Sequence, residues 1–433
     1  MKKAIGTILV LCLLLAFAAC NQGAETPVAP EPAPQETEEP APTPESEPEP
    51  EPAQEPEEEP EYEPEAIAAD EVTFPGIIAV VTNTIDQNEE EYRSAAALVA
   101  RFGADRVLHR TWPVQFAAEA EMMISILVDL ASNLDVGAII INQAVVNTNA
   151  AIDAVREIRG DDIFIAVANP AEDPRDVYAR VDLALDVNNP EIGSAFVAQA
   201  VSMGAEVIAH YSFPRHMAVA SLATRRDNMA AAAEAAGIRF VDLPAPDPME
   251  DGGMPATQLF ISQDVGRQVE EFGPNTVFFA TNCGMQIPLL QQVLEYGAMY
   301  VQPCCPSPFH AFPQALGLAA TQGDAMDEFS FAEMIELTSA AVAEAGLTGR
   351  LSNWYVPASM ANTEVGFMYA VEWLNGRVTR EVGIIEVDVL TRLFADYIER
   401  LTGARLYLEL TPLQIGDDSF STIQVFMMPY LMY

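Results

Sequence analysis

Lysine is nearly absent from this sequence of 433 residues, because Lys2 and Lys3 are the only two lysines. The remaining chain therefore offers no lysine for Schiff-base chemistry or for a P-loop, which excludes both functions. Basic side chains are scarce in general, with 21 basic against 64 acidic residues and a formal net charge of -43. Nucleic-acid binding requires a basic surface that displaces counterions, so we expect no nucleic-acid partner.

Cysteine and long apolar runs are also scarce. Five cysteines are too few for a disulfide scaffold. Beyond the N-terminal region no segment is apolar over the ~20 residues that a membrane-spanning helix needs. The G-x-S-x-G, H-E-x-x-H, G-x-G-x-x-G and Walker A patterns do not occur either. We therefore expect no enzyme activity and no cofactor, although half of the residues are apolar and can build a sizeable core.

The first 19 residues have the features of a bacterial lipoprotein signal peptide. Lys2 and Lys3 form a short basic region, and residues 4–17 form an uncharged apolar stretch that is too short to span a bilayer. The stretch ends in Phe-Ala-Ala-Cys, which resembles a lipobox and marks Cys20 as the lipidation site. An ordinary signal peptide with an incidental cysteine is the alternative. The sequence therefore predicts an extracytoplasmic protein that contacts the cell membrane through its lipid only.

Residues 20–70 have the composition of a disordered, acidic, proline-rich tether. Between Glu25 and Glu65 there are 16 glutamates and 13 prolines but no basic residue. Proline interrupts helices and strand ladders, and like charges repel, so this segment cannot bury enough apolar surface to fold. Its predicted role is to hold the folded part away from the membrane.

From residue 71 onward, apolar strands alternate with helices. Strands are predicted at 76–82, 106–110, 136–142 and 163–168, with helices between them and Asp86 as an N-cap. A second such series follows, and this alternation is typical of α/β lobes with parallel sheets. We predict a first lobe at 71–188, a second lobe at 189–305 and a mainly helical part at 306–433 that completes the lobes. A late strand at 405–410 and an apolar tail against the first lobe are also predicted.

Several segments resemble the type I periplasmic binding protein superfamily. Residues 187–193 (Val-Asn-Asn-Pro-Glu-Ile-Gly) resemble the segment where the chain of such proteins first crosses between lobes. Residues 278–285 (Phe-Phe-Ala-Thr-Asn-Cys-Gly-Met) resemble the motif with which one strand of the family ends. Residues 210–216, 225–227 and 245–248 resemble an uncharacterised group of bacterial lipoproteins within that superfamily. The resemblance implies two doubly wound lobes and delivery of a solute to an ABC permease or presentation to a membrane sensor. Cys283 stands where sugar-binding relatives have an aspartate, so the resemblance does not imply a sugar ligand.

Candidate ligand residues lie where parallel strands end, because ligands of such sheets bind beyond the carboxyl ends of the strands. They are mostly uncharged hydrogen-bonding side chains, which favours a neutral or zwitterionic small molecule. The predicted set is Thr82, Asn83, Asn142, Gln143, Ser212, Arg215, His216, Asn282, Cys283 and Gln286. Asn169 lies in the same kind of position, while Trp112 and Trp354 are expected to pack between elements rather than to stack on a ligand.

Cys283, Cys304, Cys305 and His310 require a separate interpretation. Thiolates and imidazoles bind zinc or copper(I), but the sequence has no C-x-x-C or H-x-x-x-H spacing, so we predict no metal site. A disulfide from Cys283 to Cys304 or Cys305 is an alternative, and buried thiols beside the cleft are the favoured interpretation.

Together these features predict a monomeric, lipid-anchored solute-binding protein that closes around a small polar molecule between its lobes. Two alternatives belong to other classes: a cell-surface enzyme that uses Cys283 or His216, and a structural lipoprotein without a ligand. Saturable binding without turnover would distinguish the first interpretation from both.

Overall fold

A computed structural model describes residues 72–85, 87–318, 331–381 and 384–433. The predicted signal peptide, Cys20, the tether and Asp86 lie outside these residues. Within them, no helix is long and apolar enough to cross a membrane.

The strands of the described residues alternate with helices over most of the chain. In chain order the strands are β1 (Ile77–Thr82), β2 (Val107–Thr111), β3 (Val136–Asn142), β4 (Phe164–Ala168), β5 (Leu183–Val187), β6 (Val207–Ser212), β7 (Arg239–Pro244), β8 (Thr276–Ala280), β9 (Met299–Tyr300), β10 (Ser352–Trp354), β11 (Thr411–Ile415), β12 (Asp418–Phe426) and β13 (Tyr430–Met432). The helices are α1 (Glu89–Phe102), α2 (Ala120–Ser132), α3 (Thr148–Arg159), α4 (Pro174–Tyr178), α5 (Asn189–Ser202), α6 (Pro214–Met217), α7 (Ala220–Ala236), α8 (Gly253–Phe272), α9 (Gln286–Tyr296), α10 (Phe312–Ala315), α11 (Phe331–Glu344), α12 (Ala358–Leu374) and α13 (Val387–Thr402).

Two sheets define two lobes. The first lobe has a seven-stranded sheet in the order β11-β12-β5-β4-β3-β1-β2, and the second has a four-stranded sheet in the order β7-β6-β8-β9. Neighbouring strands are parallel in both sheets, except for the antiparallel pair of β11 and β12 at one edge. The sequence prediction of an α/β fold with two lobes of mainly parallel strands is confirmed.

Apolar runs and local capping produce these elements. All but the first residue of β1 is buried, as expected for a parallel strand covered on both faces. The Asn88 side chain accepts the backbone N–H of Glu91 and begins α1, which ends at Gly103 with a positive φ of 92°. Apolar clusters lie on both faces of each sheet, so each lobe has a three-layer core.

The chain passes between the lobes three times. The connections are β5 to α5, β10 to α12 and β12 to β13. Helices α12 and α13 consequently pack in the core of the first lobe, whereas α11 and the β10–β13 pair belong to the second. Because β5 and β10 lead directly into α5 and α12 of the other lobe, the carboxyl ends of both sheets meet at the boundary between the lobes.

The predicted strand at residues 405–410 is wrong. Leu408 and Leu410 are buried in the first lobe without joining a ladder, so alternation of apolar residues reflects packing there and not strand pairing. The strands lie further on, as the hairpin β11–β12 around Gly416. The tail does join the first lobe through β11 and β12, but β13 pairs with β10 of the second lobe, so the placement of its last residues was wrong.

Gly193 permits the closest helix contact of the second lobe, where α5 packs on α7. A Cβ atom at this position would lie 2.3 Å from the carbonyl oxygen of Arg225 and 2.9 Å from the amide nitrogen of Met229. Backbone atoms cannot move aside as a flexible side chain can, so Gly193→Ala should lower the free energy of unfolding by about 1–3 kcal/mol. Ser194→Ala, an exposed change on the same helix, is the matched control and should cost less than about 0.5 kcal/mol. Equal stability of both variants in urea denaturation would contradict this account of the contact.

Candidate functional site

In the first lobe, the predicted residues at the ends of β1 and β3 form a hydrogen-bonded group. The Asn83 amide nitrogen donates to Oε1 of Gln143 at 3.2 Å and lies 3.5 Å from Oε2 of Glu91. The indole N–H of Trp112 donates to the backbone carbonyl of Gln143 at 3.0 Å and holds this loop in place. Asn83 is buried, and its Oδ1 has no hydrogen-bond partner within the described part of the chain.

Asn142 has a different environment from its neighbours. Its amide nitrogen donates to the Ser359 carbonyl at 2.9 Å and to Oγ1 of Thr363 at 2.7 Å, and its Oδ1 accepts from Asn169 at 3.0 Å. These contacts anchor the start of α12 against the sheet. The hydrogen-bonding groups of Asn142 are thus engaged inside the protein, whereas Oδ1 of the adjacent Asn362 is buried and unpaired among the described residues.

Two glutamates of the first turn of α1 are buried. Glu90 and Glu91 are 5% and 0% exposed, although carboxylates of a first turn usually face solvent. Burial raises the pKa of Glu90 to about 7, and it raises the pKa of Glu91 well above the ordinary value. The Ser307 hydroxyl, from the segment that follows β9, donates to Oε1 of Glu90, so this side chain links the two lobes.

Glu90→Gln should change how the stability of the protein depends on pH. The carboxyl has a pKa near 4.5 when unfolded and about 7 when folded. Both states are protonated below pH 4.5, and stability is lost between pH 4.5 and 7, where the unfolded state ionises while the folded carboxyl stays protonated. Relative to the parent, the glutamine variant should therefore gain stability between pH 5 and pH 8, by up to about 3 kcal/mol. Thermal unfolding at both pH values measures this gain.

Glu89→Gln supplies the control for that experiment. Glu89 lies next to Glu90, has a side chain 36% exposed and pairs with Arg93 on the helix surface. Its stability difference from the parent should be the same at pH 5 and pH 8. A pH-independent effect of Glu90→Gln would show that folding leaves the pKa of the Glu90 carboxyl unchanged, although this carboxyl faces Ser307, His310 and Cys305 in the folded protein.

In the second lobe, Ser212, Arg215 and His216 lie at the end of β6 and in α6. The Arg215 guanidinium binds both carboxylate oxygens of Asp247 at 2.8 Å, so its charge is already paired. His216 stacks on Phe213, with ring centroids 4.1 Å apart, and its Nδ1 lies 3.1 Å from Oγ1 of Thr281. Burial, aided by Arg215 and Arg225, lowers the pKa of His216 to about 3, so its imidazole is neutral at physiological pH.

Asn282 and Gln286 shape the turn after β8. Oδ1 of Asn282 accepts the backbone N–H of Gly284 at 2.9 Å, and the Gln286 amide donates to the carbonyls of Ala280 and Asn282. The Tyr300 hydroxyl donates to Oε1 of Gln286 at 2.7 Å. Gln286 is fully buried, and its contacts fix the position of Cys283, which stands between Asn282 and Gly284.

The structure brings Cys283, Cys304 and Cys305 together. The Cys283 sulfur lies 3.4 Å from each of the other two sulfurs, which are 4.0 Å apart. Nδ1 of His310 lies 3.1 Å from the Cys305 carbonyl, next to this group. Burial opposes ionisation of Cys304, but the neighbouring thiols and Arg225 hold its pKa well below the usual range.

Arg225 is a site residue that the sequence reasoning did not select. It projects from the alanine-rich helix α7 and is 1% exposed, and one of its terminal nitrogens donates to Oδ1 of Asn189 at 2.7 Å. Its guanidinium lies 4.8 Å from the Phe279 ring centroid, while Nε and Nη2 have no hydrogen-bond partner among the described residues. It interacts electrostatically with Asp186 of the first lobe and with the three cysteines. No local signal marked its burial, because Arg226 lies in the same run of small residues and its side chain is 37% exposed.

Asp186 completes the charged groups at the boundary. It is the last residue but one of β5, is 5% exposed and receives hydrogen bonds from the Val187 backbone and the Asn189 amide. Burial raises its pKa to about 7. Arg225 and Asp186 therefore place buried groups of opposite charge on the two lobes.

A groove of about 320 Å³ lies elsewhere, between α1, α12 and α13 on the outer side of the first lobe. Its charged side chains are paired with each other: Glu364 binds Arg101 and Arg400, and Arg392 binds Glu372. Trp112 and Trp354 are both buried in lobe cores, in accord with the expected packing role. Neither the groove nor the tryptophans add to the site at the lobe boundary.

Residues 77–352 match a protein family described as "Protein of unknown function (DUF3798)". The chain belongs to this family. Two uncharacterized proteins of Treponema pallidum (strain Nichols) are similar to it: one is 27% identical over 217 residues, covering 50% of this chain and 97% of that protein. The other is 31% identical over 177 residues, covering 40% of this chain and 80% of that protein.

Solved structures share the architecture of this DUF3798 chain. A Clostridium difficile 630 protein, provisionally assigned as a transcriptional regulator, superposes with a TM-score of 0.65 at 21% identity, covering 84% of this chain and all of that one. An ABC transporter periplasmic solute binding protein from Actinobacillus succinogenes 130z, with bound D-allose, gives a TM-score of 0.46 at 13% identity, covering 70% and 92% of the two chains. At these identities the likeness concerns the fold alone.

Proposed function

We propose that this chain is a solute-binding protein that holds a small polar molecule between its two lobes. The observation that supports this most is the set of buried polar atoms at the lobe boundary without hydrogen-bond partners among the described residues. They include Oδ1 of Asn83, Oε2 of Glu90, and Nε and Nη2 of Arg225. Such atoms are costly in a folded protein unless another molecule satisfies them. A solute with both donors and acceptors would do so.

The charges favour a zwitterionic solute or a neutral one with several polar groups. Arg225 offers N–H donors from the second lobe, while Glu90, Glu91 and Asp186 offer carboxyl groups from the first. A molecule with an acidic and a basic end would pair with both sides, and closure of the lobes would remove it from water. Among the residues selected from the sequence, Asn83, Gln143 and His216 lie beside these groups as further polar contacts in this proposal.

Binding without turnover accounts for the side chains better than catalysis does. His216 is neutral and hydrogen-bonded to Thr281, and Arg215 is neutralised by Asp247, so neither is arranged as a base or a free anion clamp. Catalysis by a nucleophilic cysteine would require a base within hydrogen-bond reach of the sulfur. We therefore propose that the protein is not an enzyme.

We also propose that the protein acts outside the cytoplasm as a monomer attached through a lipid on Cys20. Its partner would be an ABC permease or a membrane sensor that receives the bound solute. In cells that process lipoproteins, Cys20→Ala should abolish fatty-acid labelling of the protein and release it from the membrane fraction. Labelling and fractionation like those of the parent would refute the anchor without bearing on solute binding.

The solute itself can be sought by thermal unfolding of the purified full chain with amino acids, short peptides, nucleosides and sugars. A binding solute raises the midpoint temperature in proportion to its affinity and concentration. We expect a zwitterionic compound to give a saturable shift, which isothermal titration then confirms with one site per chain. A chain that responds to none of these classes would contradict solute binding.

A further inference from the structure

The three cysteines of the second lobe form a group that the solute-binding proposal does not use. They come from two loops, one after β8 and one after β9, that are separated by about twenty residues in sequence. Their sulfur atoms all lie within 4.8 Å of one another, and Cys304 is buried while Cys283 and Cys305 are partly buried. Convergence of three thiols from separate loops distinguishes this group from a lone cysteine or an incidental adjacent pair.

The geometry matches one face of a tetrahedral metal site. With a zinc–sulfur bond of about 2.3 Å, sulfur ligands of a tetrahedral ion lie roughly 3.8 Å apart. The observed separations of 3.4, 3.4 and 4.0 Å bracket this value. They are also much longer than the bond of about 2.05 Å in a disulfide, so the three thiols are placed as separate ligands.

The surroundings suit a metal–thiolate complex. A divalent cation with three thiolates carries one net negative charge, and the buried Arg225 guanidinium interacts electrostatically with all three cysteines. Arg225 acts here as a nearby counter-charge without a hydrogen bond to sulfur, because its Nε and Nη2 have no partner among the described residues. The Gln286 contacts described above hold the turn that carries Cys283, which limits the movement of this ligand.

We propose that Cys283, Cys304 and Cys305 bind a thiophilic d¹⁰ metal ion, with Zn²⁺ as the ion that the sulfur spacing fits. Three protein ligands leave the fourth position of the ion for water or another small ligand. This site shares Arg225 with the proposed solute site, but its three metal ligands take no part in solute binding, so the two proposals can be tested separately. This proposed three-cysteine site differs from the prediction, made from cysteine spacing, that the chain has no metal site.

The test uses the full chain, reduced with a phosphine, stripped by a chelator and titrated with Zn²⁺ against a chromophoric competitor. We expect one Zn²⁺ per chain, loss of binding in both Cys283→Ser and Cys304→Ser, and at least about tenfold weaker binding in Arg225→Met. Ser339→Ala, which changes a surface position of α11, should bind like the parent. Undiminished binding in both cysteine variants, or no binding of either Zn²⁺ or Cu(I) by the reduced parent, would overturn the proposal.

X-ray absorption of the metal-loaded parent keeps the test independent of variant folding. Three sulfur neighbours at about 2.3 Å from zinc are expected. Coordination by nitrogen and oxygen only would refute the site. Titration with Cu(I) is the second arm: a three-sulfur Cu(I) complex without Zn²⁺ binding would support the site and reassign its ion. A disulfide in the isolated protein, combined with no metal binding after reduction, would identify the group as a redox pair instead.

Discussion

Arg225→Met should weaken solute binding by at least about 30-fold while changing the free energy of unfolding of the free protein by less than about 3 kcal/mol. The change removes a hydrogen bond to Asn189 and an attraction to Asp186, but it also removes two buried nitrogens that lack partners among the described residues, so its effects on folding partly offset each other. Loss of a buried, hydrogen-bonded charge from a complex instead costs about 2–5 kcal/mol, or roughly 30-fold and more in Kd.

The contrast between a small effect on stability and a large effect on solute binding lets the Arg225 experiment distinguish a ligand-binding role from a structural one. Urea denaturation without solute measures the first effect, and isothermal titration with the solute found in the thermal screen measures the second. Arg225→Lys is the matched control: it keeps the charge but loses the planar set of donors, and should bind with intermediate affinity. A free energy of unfolding lowered by more than about 3 kcal/mol, together with unchanged solute binding, would show that Arg225 is a structural residue.

Asn142→Ala should cause the largest loss of stability among the predicted site residues, about 3–5 kcal/mol. Its side chain has no exposed surface, and it makes three hydrogen bonds, to the Ser359 carbonyl, the Thr363 hydroxyl and the Asn169 amide. Alanine removes all three hydrogen bonds at the contact between β3 and the start of α12, and among these partners only the bond from the Thr363 hydroxyl to the Ser359 carbonyl remains. Chemical denaturation of both proteins measures the difference.

The control for Asn142 is Asn133→Ala in the same lobe. Asn133 is exposed and accepts one backbone hydrogen bond from Asp135, so its loss should cost less than about 1 kcal/mol. If Asn142→Ala proved as mild as this control, the network that anchors α12 would have little energetic weight. Asn142 would then return to the set of residues that face a solute.

The α/β lobes could be predicted because their signals are local. Continuous apolar runs such as that of β3, followed by helices with clear ends, recur at a spacing that permits only parallel strands. β3 occurs at the predicted residues, and α3 lies between β3 and β4 as expected. The hairpin β11–β12 was missed because it joins the sheet through the pairing of β12 with β5, which lies more than 200 residues earlier in the sequence. The Gly-Asp turn at Gly416 was the one local signal for it.

The candidate site was predictable only as a region. Strand ends identify the correct edge of each sheet, but hydrogen-bonding capacity depends on partners that sequence does not show. Asn142 and Arg215 have side chains that could bind a ligand, but these side chains are already hydrogen-bonded to Thr363 and Asp247, respectively. Arg225 and Glu90 were not selected because helix positions give no sign of burial against another lobe. The three cysteines likewise meet only after two separate strands have been placed side by side.

Native mass spectrometry of the full chain, purified gently and in mild detergent, tests solute binding most directly. Spectra recorded before and after denaturation should differ by one small molecule per chain, with a mass that identifies a polar and preferably zwitterionic compound. Arg225→Met, purified in the same way, should carry none. An unliganded parent that also gives no saturable response in the solute screen would contradict the proposed function, whatever the outcome of the metal titration.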